Sequence, residues 1–248
     1  MNIIKNYILI LLKLISRIIY KLIPIEFKQQ INDDKIYPLT PNLSRLISKN
    51  TEKENFEYFK EHFEKSILFS KDEKIREYAI KNAIENDKKQ ENFYLEFGVY
   101  KGISANFFSK YLKKLYAFDS CEGLREDWQG KDKPKSTFNL DGKVPKLNTN
   151  VEMIVGFIQD TLDDFLKKHN PKINFLHLDM DTYSSTKYAL ERLKKYLVKD
   201  AIIIFDELYN YPGWKNGEFK ALQEVFREDE YSYLAFNIVS QQVVIRVK

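Results

Sequence analysis

Residues 176–186 read LHLDMDTYSST, where an apolar run that begins at Ile173 ends in two aspartates two positions apart and a helix starts at once. Side chains alternate along a strand, so Asp179 and Asp181 point to the same side if the strand persists that far. Two like charges on one side repel, and something must reward placing them there.

The same pattern, a short apolar run followed by an amphipathic helix, recurs from residue 93 onward and marks a parallel sheet covered on both faces. The expected strands are FYLEFG (93–98), LYAFD (115–119), VEMIVG (151–156), INFLHLD (173–179) and AIIIFD (201–206). Two more, YLAFNIV and QQVVIRV, follow so closely that only an antiparallel hairpin can join them. The expected fold is α/β, with five parallel strands, a C-terminal antiparallel hairpin and helices on both faces. Upstream, the sequence reads as an N-terminal helix over 1–28, then a linker and helical lid segment over 29–90. YPLTPNLS is the extended connector, helices are expected near 52–69 and 72–88, and the sheet domain occupies 91–248.

A chain of 248 residues accommodates one such core with an appended segment. One cysteine, Cys121, rules out an internal disulfide framework and a cysteine-based zinc cluster, and three histidines leave little for a histidine-rich metal site. The net charge of +4 resides in residues 1–28, where Lys5, Lys13, Arg17, Lys21 and Lys28 face a single Glu26. The rest is neutral, which argues against a nucleic-acid-binding face.

The turn LEFGVYKGIS after the first strand spaces Glu96, Gly98 and Gly102 as E-x-G-x-x-x-G. Such a turn brings backbone close to a ligand and aims helix N–H groups at an anion, though an unliganded turn reads the same way. Asp119 closes the second strand, where an acid can accept hydrogen bonds from ribose hydroxyls. Asp160, in GFIQDTLDDFLKKHNP, reads first as a helix N-cap and second as a cofactor contact. Asp179, Asp181, Asp206 and Glu207 all fall at the carboxyl edge of the sheet, where strand order reverses and ligands bind. Charges about 4 Å apart repel by ~4 kcal/mol at an effective dielectric near 20, so the cluster calls for a cation, and an all-oxygen set suits Mg²⁺, Mn²⁺ or Ca²⁺. Against this, Asp181 can be read as a cap and Glu207 as solvated. His177 reads as a hydrogen-bonded core residue, and Trp214 as a platform for a sugar ring or as loop packing.

Taken together, LEFGVYKGIS, AFDSCEGL, GFIQDTL, LHLDMDTYSST, IIIFDELYNYPGW and QVVIR resemble the macrocin O-methyltransferase family of class I S-adenosylmethionine-dependent enzymes, over residues 92–248. The resemblance implies a metal-dependent methyl transfer to a hydroxyl of a sugar, glycan or related small molecule. It implies that Glu96, Gly98, Gly102 and Asp119 hold S-adenosylmethionine, that Asp179, Asp206 and Glu207 bind a divalent metal, Mg²⁺ foremost, and that Asp181 is the general base. The family usually has two aspartates where this chain has Asp206-Glu207. A nucleotide-dependent oxidoreductase is the enzyme alternative, weakened by the lack of G-x-G-x-x-G in the first turn. A membrane-tethered module that binds nucleotide or glycan without turnover is the other.

At the N-terminus, the longest uncharged run is Asn6–Leu12, far short of the ~20 residues of a spanning helix. Lys13, Arg17 and Lys21 recur every fourth residue and share one helical face. A basic stripe on an apolar helix suits residues 1–24 to the plane of an anionic membrane surface, at the cytoplasmic face. A helix that pairs two subunits into a homo-oligomer is the competing expectation.

Overall fold

The structure, a computed structural model, describes residues 43–248. The expectations for residues 1–28, and the linker through residue 42, lie outside the described residues; the last two residues of the expected connector, Leu43 and Ser44, are helical instead of extended. Residues 48–248 form one compact unit, and 43–47 belong to another. In chain order the elements are α1 (Leu43–Phe63), β1 (Ile67–Phe69), α2 (Asp72–Asn86), β2 (Phe93–Phe97), α3 (Ile103–Ser109), β3 (Leu115–Asp119), β4 (Val151–Val155), α4 (Ile158–His169), β5 (Ile173–Leu178), α5 (Tyr183–Leu193), β6 (Leu197–Phe205), α6 (Glu218–Val225), β7 (Tyr231–Asn237) and β8 (Val243–Val247).

They build one eight-stranded sheet in the order β1-β7-β8-β6-β5-β2-β3-β4. The five expected parallel strands pair as parallel neighbours, and β8 runs antiparallel to both β6 and β7. Strand order reverses between β2 and β5. Both are covered on their two faces, so Ile173–Leu178 is buried at every position, the polar Asn174 and His177 included.

Period 2 sorts these strands onto two cores. Leu95, Phe97, Leu176, Leu178, Ile203 and Phe205 face α1, α4, α5 and α6, and Tyr94, Phe175, Ile202 and Ile204 face α2 and α3. The second face also receives Glu96 and His177, cross-strand neighbours in the β2–β5 register.

Four boundaries differ from the sequence reading. The helix expected over 52–69 begins already at Leu43, and it ends at Phe63 because Ile67, Leu68 and Phe69 pair in parallel with Ala235, Phe236 and Asn237 and add an edge strand. Strand β6 begins at Leu197 rather than 201, after which its register with β5 shifts near Asp200, a residue of positive φ (64°). Helix α4 begins at Ile158, so its N-cap is Phe157 and Asp160 sits inside the first turn. Its end follows the sequence, with Lys167, Lys168 and His169 in the last turn and Asn170 as a left-handed C-cap.

Helix α1 is fastened to the domain by Phe59, which is fully buried and meets Tyr209, Trp214, Phe219, Tyr233 and Phe236 with ring centroids 5.4–6.0 Å away. Truncating such a ring costs ~3–5 kcal/mol. Phe59→Ala is therefore expected to lower the thermal midpoint by roughly 10 °C. An unchanged midpoint in a melt followed by circular dichroism would show that α1 is not part of this core.

Candidate active site

The carboxyl ends of β2, β3, β5 and β6 open into a cavity of about 310 Å³ lined by, among others, Gly98, Asp119, Gln159, Asp179, Asp181 and Glu207. Its position is the β2–β5 reversal, where open α/β sheets take their ligands.

Gly98 is where the site demands glycine. Its φ is +87°, and a Cβ there would lie 1.7 Å from the Asp179 carbonyl oxygen. The β2 and β5 ends thus approach closely, and Asp179 N–H reaches the Phe97 carbonyl at 2.8 Å. Gly102 is the N-cap of α3, facing Leu147 rather than the cavity lining.

Asp119 does line the cavity, but much of its accepting capacity serves the loops around it. Its Oδ2 accepts Val99 N–H at 2.7 Å and Tyr100 N–H at 2.8 Å, and its Oδ1 accepts Cys121 N–H at 2.7 Å. One carboxylate therefore shapes both the β2–α3 turn and the start of the loop after β3. Asp160 is exposed, paired with Arg125 at 2.7 Å, and outside the lining, where Phe157, Ile158 and Gln159 stand instead. Its neighbour Gln159 has a buried Oε1 with no partner.

Beneath the cavity lies a buried polar chain. Glu96 does not line the cavity; it is fully buried, and its Oε1 accepts Ser104 Oγ–H at 2.5 Å and contacts His177 Nδ1 at 3.0 Å. His177 Nε2 lies 3.4 Å from Asp206 Oδ1, which also takes Arg76 Nη2 at 3.0 Å and the Gln242 amide. His177 is the hydrogen-bonded core histidine expected. Burial alone would lower its pKa, but its bonds to Asp206 and Glu96 push it up to about 9. Burial opposes charge on Asp206 too, yet His177 and Arg76 hold its carboxyl well below the usual range.

The remaining carboxyls are under the opposite pressure. Strand β5 ends at Leu178, and Asp181 adopts a left-handed φ of 62°. The shared side of Asp179 and Asp181 thus comes from a turn, not from continued alternation. One carboxylate oxygen each from Asp179, Asp181 and Glu207 falls within 4.8 Å of the others. His177, Asp179 and Asp206 make a second such group, so Asp206 sits on the border of the cluster. Desolvation and neighbouring charge raise Asp181 to about 7, and raise Asp179 and Glu207 well above the carboxylate range. Glu207 Oε2 is buried without a partner. The cap reading of Asp181 does not hold, since the N-cap of α5 is Thr182. Neither does the solvated reading of Glu207, which is 9% exposed.

Trp214 is 2% exposed and packs on Phe59 and Phe219, so it is loop packing and not a sugar platform. Sequence reading missed Arg76, Gln242 and Lys131. Lys131 Nζ lies over the Trp128 and Tyr211 rings at 4.8 and 5.0 Å, and the charges of Glu207 and Asp181 act on it. Each is polar and far in sequence from what it serves, and no local spacing marks it.

The three N–H groups on Asp119 yield a prediction. Asp119→Ala orphans them near buried Val99 and Cys121, and charge-assisted bonds of this kind are worth ~1.5–3 kcal/mol each. The variant is expected to lose at least ~2 kcal/mol in denaturant unfolding; wild-type stability would mean the loops hold without it.

Residues 95–208 match a family described as a methyltransferase domain. No curated protein matches the chain. A solved structure of the calicheamicin methyltransferase CalS11 is similar at 17% identity and a TM-score of 0.57, covering 84% of this chain and 94% of that one. An apo structure of CalS11, described as a TDP-rhamnose 3'-O-methyltransferase, gives 21% identity and 0.53, over 71% and 78%. The O-methyltransferase NovP gives 17% and 0.52, over 71% and 79%. These likenesses establish the fold, a Rossmann-like sheet of the kind found in those methyltransferases, and residues 95–208 are similar to the methyltransferase-domain family.

Proposed function

We propose that the chain is an S-adenosylmethionine-dependent O-methyltransferase that methylates a hydroxyl of a sugar, glycan or related small molecule, with a divalent cation and a carboxylate base. One observation carries this reading: carboxylate oxygens of Asp179, Asp181 and Glu207 converge within 4.8 Å on a cavity at the reversal point of a methyltransferase sheet.

The residues fit a cation. Three carboxyls driven toward neutrality by one another and by burial, one with an orphaned buried oxygen, are a donor set short of positive charge. All-oxygen ligation suits Mg²⁺, Mn²⁺ or Ca²⁺, and the family resemblance puts Mg²⁺ foremost. Asp179 and Glu207 would hold it. Asp206, implied as a ligand by the family resemblance, can offer only Oδ2, since Arg76, His177 and Gln242 all engage Oδ1.

The residues also fit the methyl donor. The cavity offers the turn at Gly98–Tyr100, Asp119 at the end of β3, and the apolar wall of Phe157 and Ile158 with the unpartnered Gln159 Oε1 for a base edge. Glu96 and Gly102 would act from behind, fixing the turn and the start of α3. Asp160 would act through Arg125.

Asp181 is the proton acceptor in this reading. A carboxyl near pKa 7 still lies ~9 units below an alcohol near ~15.7, so unaided transfer is uphill by ~12 kcal/mol. A bound divalent cation supplies the missing acidity by polarising the hydroxyl oxygen. Asp181, buried beside Asp179, is placed to receive the proton as that oxygen becomes nucleophilic. For residues 1–24 the basic stripe supports contact with an anionic membrane surface. Among the described residues no helix is long and apolar enough to cross a membrane.

Calorimetry is expected to show binding of S-adenosylmethionine and none of NAD; the reverse would return the oxidoreductase reading. In a methyl-transfer assay on glycan fractions, Asp179→Asn is expected to abolish cation-dependent turnover. Asp181→Asn should keep cation affinity while losing ~10²–10⁴ in rate. Loss of cation binding in Asp181→Asn but not in Asp179→Asn would exchange the two roles.

A further inference from the structure

The turn that follows β6 presents three consecutive backbone N–H groups, and each has a different anchor. Asp206 N–H bonds the Leu178 carbonyl of β5, and Leu208 N–H bonds the Gln241 carbonyl beside β8. Glu207 N–H, between them, bonds a side chain, Oε2 of Glu218, at 3.1 Å. Glu218 is the first residue of α6, fully buried, and outside the cavity lining. Its other oxygen, Oε1, is buried without a partner. Helix α6 is itself fixed by Phe219, Ala221 and Leu222, all in the core that contains Phe59 and Trp214.

Glu207 depends on this anchor more than an aspartate would. Its side chain carries one more torsion than Asp, and with Oε2 unpartnered its aim is set by the backbone beneath it. We propose that Glu218 is a positioning residue for the carboxylate centre, accepting the Glu207 N–H so that the Glu207 carboxyl is aimed at Asp179 and Asp181. The proposal rests on the reading of that centre as a divalent-cation site. It links cation affinity to a carboxylate that does not touch the cation, on a helix beyond the residues that match the methyltransferase domain.

The test is Mn²⁺ binding to the full chain, followed by the electron paramagnetic resonance signal of free Mn²⁺, with donor affinity measured alongside by calorimetry. Glu218→Met fills the same space without an acceptor, and Glu218→Gln keeps a carbonyl that can take the Glu207 N–H. Loss of a partner that orients a metal ligand typically weakens metal binding about 10- to 100-fold. That loss is expected in Glu218→Met, with donor affinity unchanged, and Glu218→Gln is expected to restore near-normal Mn²⁺ affinity. Unchanged Mn²⁺ affinity in Glu218→Met overturns the proposal. So does a Glu218→Gln variant as weak as Glu218→Met, which would make the charge, not the acceptor, what matters. If Glu218→Met also loses the donor, Glu218 supports the fold at large and the positioning role is likewise overturned. Absence of Mn²⁺ binding by the unsubstituted chain refutes the cation reading itself, and the positioning role with it.

Discussion

Five carboxyl groups, Asp179, Asp181, Asp206, Glu207 and Glu218, are drawn together at one edge of the sheet, and their mutual repulsion organises what surrounds them. Burial and the neighbouring acids push four of them toward the neutral form, while Asp206 is kept ionised by Arg76 and His177. The cluster is thus divided. Asp206 is tied on one oxygen to a buried chain that runs through His177 and Glu96 to Ser104. Asp179, Asp181 and Glu207 are left facing one another around a cavity, short of positive charge.

The fold supplies the geometry for this division. Alternation along β2 and β5 sends Glu96 and His177 to the α2–α3 face, where Arg76 can meet Asp206. The close approach at Gly98 lets β2 and β5 end together, so that the turn carrying Asp179 and Asp181 sits over the strand reversal. The hairpin residues Gln241 and Gln242 hold Lys131 and Asp206 from the other side, which gives the C-terminal strands a part in the site as well as in the sheet.

Much of this was legible in the sequence. The five parallel strands, the hairpin, the reversal point and the acids at its edge follow from short apolar runs and from where each run ends. Position 67–69 was not, because a three-residue edge strand half open to solvent has neither length nor alternation to distinguish it from the end of a helix. Asp160 misled because a first-turn acid and an N-cap acid look alike when the helix start is displaced by three residues, here from Asp160 to Phe157 as the cap. Glu96 in β2 and Asp119 at the end of β3 stand on the strands where the sequence reading puts them, but what they bond to here, Ser104, His177 and three backbone N–H groups, depends on contacts no linear spacing encodes. Arg76 and Glu218 were invisible for the same reason: an arginine and a glutamate in ordinary helical positions gain their roles only when α2 and α6 pack against the end of β6.

The central claim is that the carboxylates at the β2–β5 reversal form a cation site beside a methyl-donor cavity. An anomalous difference map from crystals grown with Mn²⁺ and S-adenosylhomocysteine tests it directly. The account predicts one strong peak among the carboxylates of Asp179, Asp181 and Glu207, with the cofactor product in the cavity beside Gly98. A cofactor seated there with no Mn²⁺ peak at these carboxylates would contradict it.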